Sequence, residues 1–153
     1  MRYLSEVLQE DLLTRMVFLG GPRQCGKTTL AKTLVEESAA GHYYNWDSRV
    51  DRKFILNATW PAETDLLIFD QIHKYRQWKS LIKGYWDTRP RNLKIFATGS
   101  ARLDIYRRGG DSLLGRYHYY RLHPFSAAEL AAQKNKFPHA KNPPRLDFPK
   151  KSK

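Results

Sequence analysis

The chain has 153 residues, with 27 Lys and Arg against 15 Asp and Glu, 13% aromatic residues and a single Cys. This length suits one domain, and a hydrophobic fraction of 41% can build a buried core, which excludes a wholly disordered chain. One Cys can neither form an internal disulfide nor by itself hold a structural zinc ion, so packing must stabilise the fold.

Short apolar runs rich in branched and aromatic residues alternate along the chain with segments of helical period. This alternation is typical of an α/β fold in which helices cover a parallel sheet. The predicted helices are the segment that contains Leu4, Val7, Leu8 and Leu12, then residues 28–38, 50–57 and 78–86, and one that begins at a capping box formed by Ser126 and Glu129. The predicted strands are residues 15–19, 42–46, 65–69, 93–98 and 117–122.

The two ends of the chain carry information of different kinds. The start, MRYLSEVLQEDLL, is amphipathic and acidic, unlike a signal peptide, and no apolar run reaches the roughly 18 to 20 residues of a membrane-spanning helix. We therefore expect a cytoplasmic protein without a membrane partner. In residues 134–153 the apolar side chains follow neither the helical nor the strand repeat. This segment is predicted to form a basic, disordered tail, which leaves residues 1–133 as one domain.

Residues 21–28, GPRQCGKT, fit the pattern G-x-x-x-x-G-K-[ST] between a predicted strand and a predicted helix. Glycines in this pattern let the backbone curl, so that N–H groups and the amino end of the helix point at a polyphosphate. Lys27 would reach the β and γ phosphates of a nucleotide, and the Thr28 hydroxyl would complete the coordination of Mg²⁺. The residues predicted to bind the nucleotide are Gly21, Pro22, Arg23, Gln24, Cys25, Gly26, Lys27, Thr28 and Thr29.

Cys25 lies inside this loop and has two interpretations. It is either a reactive thiol activated by Lys27 and the helix end, or a small side chain that fits the space. The second is favoured, because these positions of the pattern accept many residues.

Residues 66–70, LLIFD, form an apolar segment that ends in a carboxylate. The pattern predicts a central strand that presents Asp70 beside the phosphate loop, where it would hold Mg²⁺ through the water shell of the ion. Many P-loop ATPases place a Glu next as the general base, but here the residue is Gln71. A carboxamide is a far weaker base, so we expect ATP binding with weak hydrolysis, although Gln71 can still align a water. His73 is interpreted as a loop residue.

The predicted strand at residues 93–98 is followed by Gly99 and Ser100, which brings a hydroxyl group toward the expected position of the γ phosphate. Ser100 is preferred over Thr98 as this sensor, and an ordinary strand-ending turn is an equal alternative. One downstream arginine could complete the site of a neighbouring subunit, although a surface or ion-pair role is commoner for each. The candidates are Arg102, Arg107, Arg108 and Arg116.

The net charge of +12 is concentrated in the second half of the chain. Residues 71–121 hold 12 basic and 3 acidic side chains, whereas residues 1–70 hold 8 and 10. Such a field attracts polyanions, including nucleic acid. Because no nucleic-acid motif is recognisable, a solvated basic surface is the preferred interpretation.

Four segments together resemble a prokaryotic family of AAA-type ATPases that also carries a C-terminal domain of unknown function. They are GGPRQCGKTTLAKTL, YNWDSRVDR, LLIFDQIHKYRQWKSLIKGYWD and KIFATGSARLDIYRRGGDSLLGRYHYYRLHPFSAAEL. The resemblance implies a P-loop NTPase-type three-layer α/β/α fold with a five-stranded parallel sheet. It carries the phosphate loop onto residues 21–28, the metal-site Asp onto Asp70, the sensor onto Ser100 and a family arginine onto Arg116.

Two departures from the family pattern shape the expected function. Gln71 stands where the family has Glu, and after the basic tail at residues 134–153 we expect no lid or second domain. The chain is therefore expected to be a natural remnant, a fragment, or a small regulator that associates with itself or with a full-length relative. We expect a domain that binds ATP and Mg²⁺ and hydrolyses ATP weakly. The predicted catalytic residues are Lys27, Gln71, Ser100 and Arg116. The alternatives are an active Mg²⁺-dependent ATPase, in which Gln71 positions water and an arginine of a neighbouring subunit completes the site, and a basic nucleic-acid-binding module.

Overall fold

The computed structural model describes residues 4–100 and 113–124. The helix expected from Ser126, the basic tail, and Arg102, Arg107 and Arg108 lie outside the described residues. The helices are α1 (Ser5–Leu12), α2 (Lys27–Glu36), α3 (Arg49–Asn57), a short 3-10 helix (Ile72–Lys74) and α4 (Trp78–Thr88). The strands are β1 (Met16–Gly20), β2 (Gly41–Asn45), β3 (Leu66–Asp70), β4 (Lys94–Thr98) and β5 (Tyr117–Arg121).

All five strands pair in parallel in one sheet, in the order β2-β3-β4-β1-β5. The predicted α/β class and the five-stranded parallel sheet are confirmed, with strand bounds that differ from the prediction by at most one residue. β1 and β3 are buried along their whole length, because helices cover both faces of the sheet. Among the described residues, no helix has the length and apolar character needed to cross a membrane.

Successive residues of β1 point to opposite faces of the sheet and supply two separate cores. Met16 and Phe18 join a cluster with α3 and α4, which contribute Ile55 and Ile82. The other face is covered by α1 and α2. Its cluster contains Leu8, Leu12, Val17, Leu19, Leu30 and Leu34. Helix, sheet and helix therefore form three layers, as the resemblance implies.

The parallel arrangement brings three chain segments to one edge of the sheet. Residues 21–26 follow β1, Gln71 follows β3, and Gly99 and Ser100 follow β4. Because the carboxyl ends of parallel strands meet at the same edge, segments far apart in sequence converge there. Ligands of open α/β sheets bind at this edge, so it is where a site is to be sought.

Candidate functional site

The loop between β1 and α2 curls tightly before the helix begins. Gln24 has a φ of +60° and Gly26 a φ of +91°, and Gly26 caps α2. At Gly21 a Cβ would lie 2.4 Å from the carbonyl oxygen of Leu122, which follows β5. Glycine is therefore required at position 21 by a close backbone approach, and at position 26 by a left-handed conformation.

The Lys27 side chain folds back into this loop. Its Nζ donates hydrogen bonds to the carbonyl oxygens of Gly21, at 3.1 Å, and Pro22, at 2.5 Å, and lies 3.6 Å from the Sγ of Cys25. Lys27 is only 7% exposed and Cys25 only 2%. The ammonium group is thus held inside the loop by backbone dipoles, at the amino end of α2.

The carboxylate of Asp70 lies beneath the loop and accepts three hydrogen bonds from hydroxyl groups. The Thr28 Oγ1 donates to Oδ2 at 2.8 Å, and the Tyr43 hydroxyl donates to the same oxygen at 2.6 Å. Thr98 Oγ1 donates to Oδ1. Burial, and next the hydrogen bond to Asp70, raise the pKa of Tyr43 well above its ordinary range. At 2% exposure, Asp70 is a buried charge-bearing group whose oxygens are satisfied by neighbouring elements.

The Thr28 and Asp70 oxygens are of the kind that Mg²⁺ prefers, and they converge within hydrogen-bonding distance. Among the described residues, no group of three or more His, Cys, Asp and Glu side chains could hold a metal ion. A magnesium ion at this point would therefore depend on phosphate oxygens and water for its other ligands, which is its usual mode of binding in nucleotide sites.

Gln71 directly follows β3 in a left-handed conformation, with φ +59° and ψ +20°. This turn leads into the 3-10 helix, so that Gln71, His73 and Lys74 all border the same cleft as the loop. The Lys74 Nζ forms an ion pair with Asp47 at 2.6 Å, and both side chains are about half exposed. The residue in the position of the family Glu therefore does lie at the site, as a carboxamide.

His73 was interpreted as a loop residue, but its ring lines the cleft. Its Nε2 lies 3.1 Å from the Ser100 Oγ, and its Nδ1 is buried without a hydrogen-bond partner in the described structure. Burial, followed by the positive charge of Lys74, lowers the pKa of His73. The 3-10 helix begins directly after the left-handed turn at Gln71, so His73 stays close to the edge of the sheet where β3 ends. No pattern in the sequence indicates its contact with Ser100.

The cleft is open, with a volume of about 1190 Å³. Most of the predicted phosphate-loop residues line it, together with Gln71 and Ser100 and with three residues that the sequence had not suggested, Asp47, His73 and Lys74. Gly21, Cys25 and Asp70 are buried and do not line the cleft, and the same holds for Thr98, the sensor candidate that was not preferred. The lining residues from the loop and the start of α2 are Pro22, Arg23, Gln24, Gly26, Lys27, Thr28 and Thr29.

Arg116 does not share this cleft. It precedes β5, its carbonyl accepts a hydrogen bond from the N–H of Met16 at the start of β1, and its Nε donates to Asp87 at 2.9 Å. Arg116 is therefore at the amino end of the sheet, opposite the loop. Any contact with a nucleotide would have to be made with that of another subunit, and this role stays a prediction.

Comparisons with known proteins bear on the family and the fold. A family model described as AAA domain matches residues 13–131. The structure of the Aeropyrum pernix ORC1 protein in complex with DNA is similar with a TM-score of 0.59 and 12% identity, over 89% of this chain and 49% of that chain. The structure of a double mutant of Pif1 helicase from Bacteroides is similar with a TM-score of 0.52 and 15% identity, over 80% of this chain and 41% of that chain. The chain spans half or less of the length of these structures, and no curated protein sequence matches it.

Proposed function

The chain belongs to the AAA domain family, whose fold is that of nucleotide-binding P-loop ATPases, and on that premise we propose that its cleft binds ATP with Mg²⁺ and hydrolyses it weakly. The observation that carries the proposal is the convergence of the curled loop, the buried ammonium of Lys27, and the Thr28 hydroxyl bonded to Asp70. A polyphosphate and a divalent ion are the ligands that such a set of groups recognises.

Phosphate binding would use charge that is already in position. The backbone N–H groups of residues 23–28 and the positive end of α2 favour an anion, and helix ends of this kind bind phosphate repeatedly in proteins. The Lys27 ammonium, which is bonded to the carbonyls of Gly21 and Pro22, would transfer to phosphate oxygens. A hydrogen bond to a charged oxygen is the stronger one, so this exchange favours binding.

The magnesium ion would be held by the Thr28 hydroxyl directly and by the Asp70 carboxylate through the water shell of the ion. When bound, it neutralises phosphate charge and polarises the γ phosphate. The donors from Tyr43 and Thr98 would keep the Asp70 carboxylate oriented after Thr28 turns to the ion.

Weak hydrolysis follows from the chemistry of Gln71. Its carboxamide can align a water by hydrogen bonding, but it cannot accept a proton as a carboxylate does. This leaves nucleotide binding intact and removes most of the help that a general base gives. The binding state of the cleft could then regulate association with another copy or with a longer relative.

The proposal is tested by titrating the full chain with a fluorescent ATP analogue, with and without Mg²⁺. We expect saturable binding that Mg²⁺ strengthens, and Asp70→Asn should remove most of that strengthening. Asp87→Asn, which changes a carboxylate at the opposite edge of the sheet, is the matched control. An absence of binding, or binding indifferent to both Mg²⁺ and Asp70→Asn, would overturn the proposal.

Two other functions from different classes stay open to test. An active ATPase is favoured by the position of Gln71 on the cleft wall, where it can align a water. A nucleic-acid-binding module is favoured only by the basic charge of residues 71–121 and 134–153. Binding of DNA or RNA at near-physiological salt, lost on deletion of residues 134–153, would support the module, and no binding even at low salt would dismiss it.

A further inference from the structure

A hydrogen-bonded histidine and serine face the cleft beside the proposed phosphate site. His73 comes from the 3-10 helix after β3 and Ser100 from the turn after β4, and their Nε2 and Oγ atoms lie 3.1 Å apart. Both side chains are partly buried and line the same cleft as Lys27 and Thr28. Nothing in the phosphate and magnesium chemistry described above uses the imidazole of His73.

We propose that Ser100 and His73 form a proton relay that serves the residual hydrolysis of ATP, in place of the glutamate that is absent at position 71. This inference rests on the proposed function, since it needs ATP in the cleft. The relay is made by adjacent strands, because β3 pairs with β4 in the sheet and both chain segments leave the sheet at the same edge. Gln71 then aligns the water, and the neighbouring pair receives its proton.

The step balances without any further reagent. The water oxygen forms a bond to the γ phosphorus, while the bond from that phosphorus to the bridging oxygen breaks and its electron pair stays on ADP. The water gives one proton to the Oγ of Ser100 as the Ser100 hydroxyl proton passes to the Nε2 of His73. The imidazolium then returns its proton to solvent. Ser100 is the residue that would touch the reacting water, and His73 is a positioning residue that acts through it.

The surroundings of His73 keep its ring in the form that can accept a proton. The charges that face it are Lys74 on its own helix, Lys27 from α2, Asp70 at the end of β3, and Asp47 after β2. Burial and the two lysines lower its pKa, against the opposing effect of the two carboxylates. An imidazole with a pKa below its usual 6.5 is neutral at pH 7, as a relay requires.

The hydrogen bonds of the His73 ring are also consistent with its role in the relay. The Nδ1 atom of His73 has no hydrogen-bond partner in the described structure. With the proton on Nδ1, the Nε2 lone pair is directed at the Ser100 hydroxyl, which is the tautomer that the relay uses.

The test is single-turnover release of phosphate from ATP by the full chain, from pH 5 to pH 9. The variants are His73→Gln and Ser100→Ala, and the matched control is His118→Gln, a histidine near the amino end of β5. We expect the parent rate to rise with pH through a midpoint below 6.5 and then level off. His73→Gln should lower the plateau rate about 10²-fold, which is the size of the contribution of a general base, and should remove the rise of the rate with pH. The control variant His118→Gln should keep the plateau rate and the pH dependence of the parent.

A second arm separates a relay from a structural role. In a Gln71→Glu background a carboxylate accepts the proton directly, so adding His73→Gln should change the rate by less than about threefold. An equally large loss in both backgrounds would overturn the relay, because it would mean that His73 only supports the fold or the binding of ATP.

Binding of the fluorescent ATP analogue, measured on the same samples, distinguishes the two proposals. If the parent chain binds no nucleotide, the proposed function fails and the relay fails with it. If the parent binds nucleotide but releases no phosphate, nucleotide binding stands, whereas weak hydrolysis and the relay are both overturned. If His73→Gln and Ser100→Ala leave the rate and its pH profile unchanged, the relay alone is overturned. Reduced release with unchanged analogue binding, restored by Gln71→Glu, is the result that supports it.

Discussion

The Thr28 hydroxyl donates a 2.8 Å hydrogen bond to the Oδ2 of Asp70, which lies 42 residues further along the chain. One group comes from the amino end of α2 and the other from the carboxyl end of β3. Their contact joins the phosphate loop to the central strand and gives the cleft the oxygen pair that suits Mg²⁺.

Replacing Lys27 by Ala should weaken binding of the ATP analogue by at least about tenfold, which corresponds to about 1.4 kcal/mol. The variant removes the ammonium group that lies inside the loop against the carbonyls of Gly21 and Pro22. Lys53→Ala is the control, because it removes the same charge from an exposed position on α3. Fluorescence titration measures both, and equal affinities for the two variants would contradict the assignment of Lys27.

Replacing Gln71 by Glu should accelerate single-turnover release of phosphate by at least about tenfold, because a carboxylate is a competent general base. The two side chains have similar length and shape, so the variant changes the chemistry of the end group and not the size of the side chain. Gln77→Glu adds the same charge at an exposed position before α4 and should leave the rate unchanged. If Gln71→Glu is no faster than the parent, the argument from the missing base is wrong.

Thr98→Val should lower the free energy of unfolding by about 1 to 3 kcal/mol, because a buried carboxylate oxygen loses a hydroxyl donor without a change in side-chain shape. Thr98 is fully buried and donates to the Oδ1 of Asp70. Thr88→Val removes an exposed hydroxyl bonded to the Gly84 carbonyl and should cost no more than about 0.5 kcal/mol. Urea denaturation compares the two, and a cost for Thr98→Val as small as that of Thr88→Val would refute this account.

The free energy of unfolding should fall as the pH rises from about 10 to about 12, and Tyr85 should contribute to that fall. Burial raises the pKa of Tyr85 to about 12, and its hydroxyl donates to the Ile55 carbonyl. Over this pH window the unfolded chain releases a proton that the folded chain retains, so alkali favours unfolding.

Tyr85→Phe tests this contribution by urea denaturation at pH 9 and pH 11. The variant should be less stable at pH 9, since the Ile55 carbonyl loses its donor, but its further loss between the two pH values should be smaller than that of the parent. Equal losses in the two proteins would show that Tyr85 titrates alike in the folded and unfolded states.

The sequence was sufficient to predict features that depend only on residues consecutive in the chain. A phosphate loop needs consecutive residues with special backbone freedom, so its pattern is readable from residues 21–28 alone, and the buried run before Asp70 identifies a central strand by composition. The five strands were predicted to within one residue at their ends for the same reason.

Other features depend on which strands become neighbours and in what register. Tyr43 and Thr98 reach Asp70 because β2 and β4 flank β3. Ser100 contacts His73 because the segments that carry them follow the neighbouring strands β4 and β3. No spacing along the chain specifies those contacts. Arg116, which the sequence analysis offers for the site of a neighbouring subunit, lies at the opposite edge of the sheet because it precedes a parallel strand. Local backbone chemistry was therefore determined by the sequence, whereas the convergence of side chains was decided by strand order, since only folding sets the distances between distant segments.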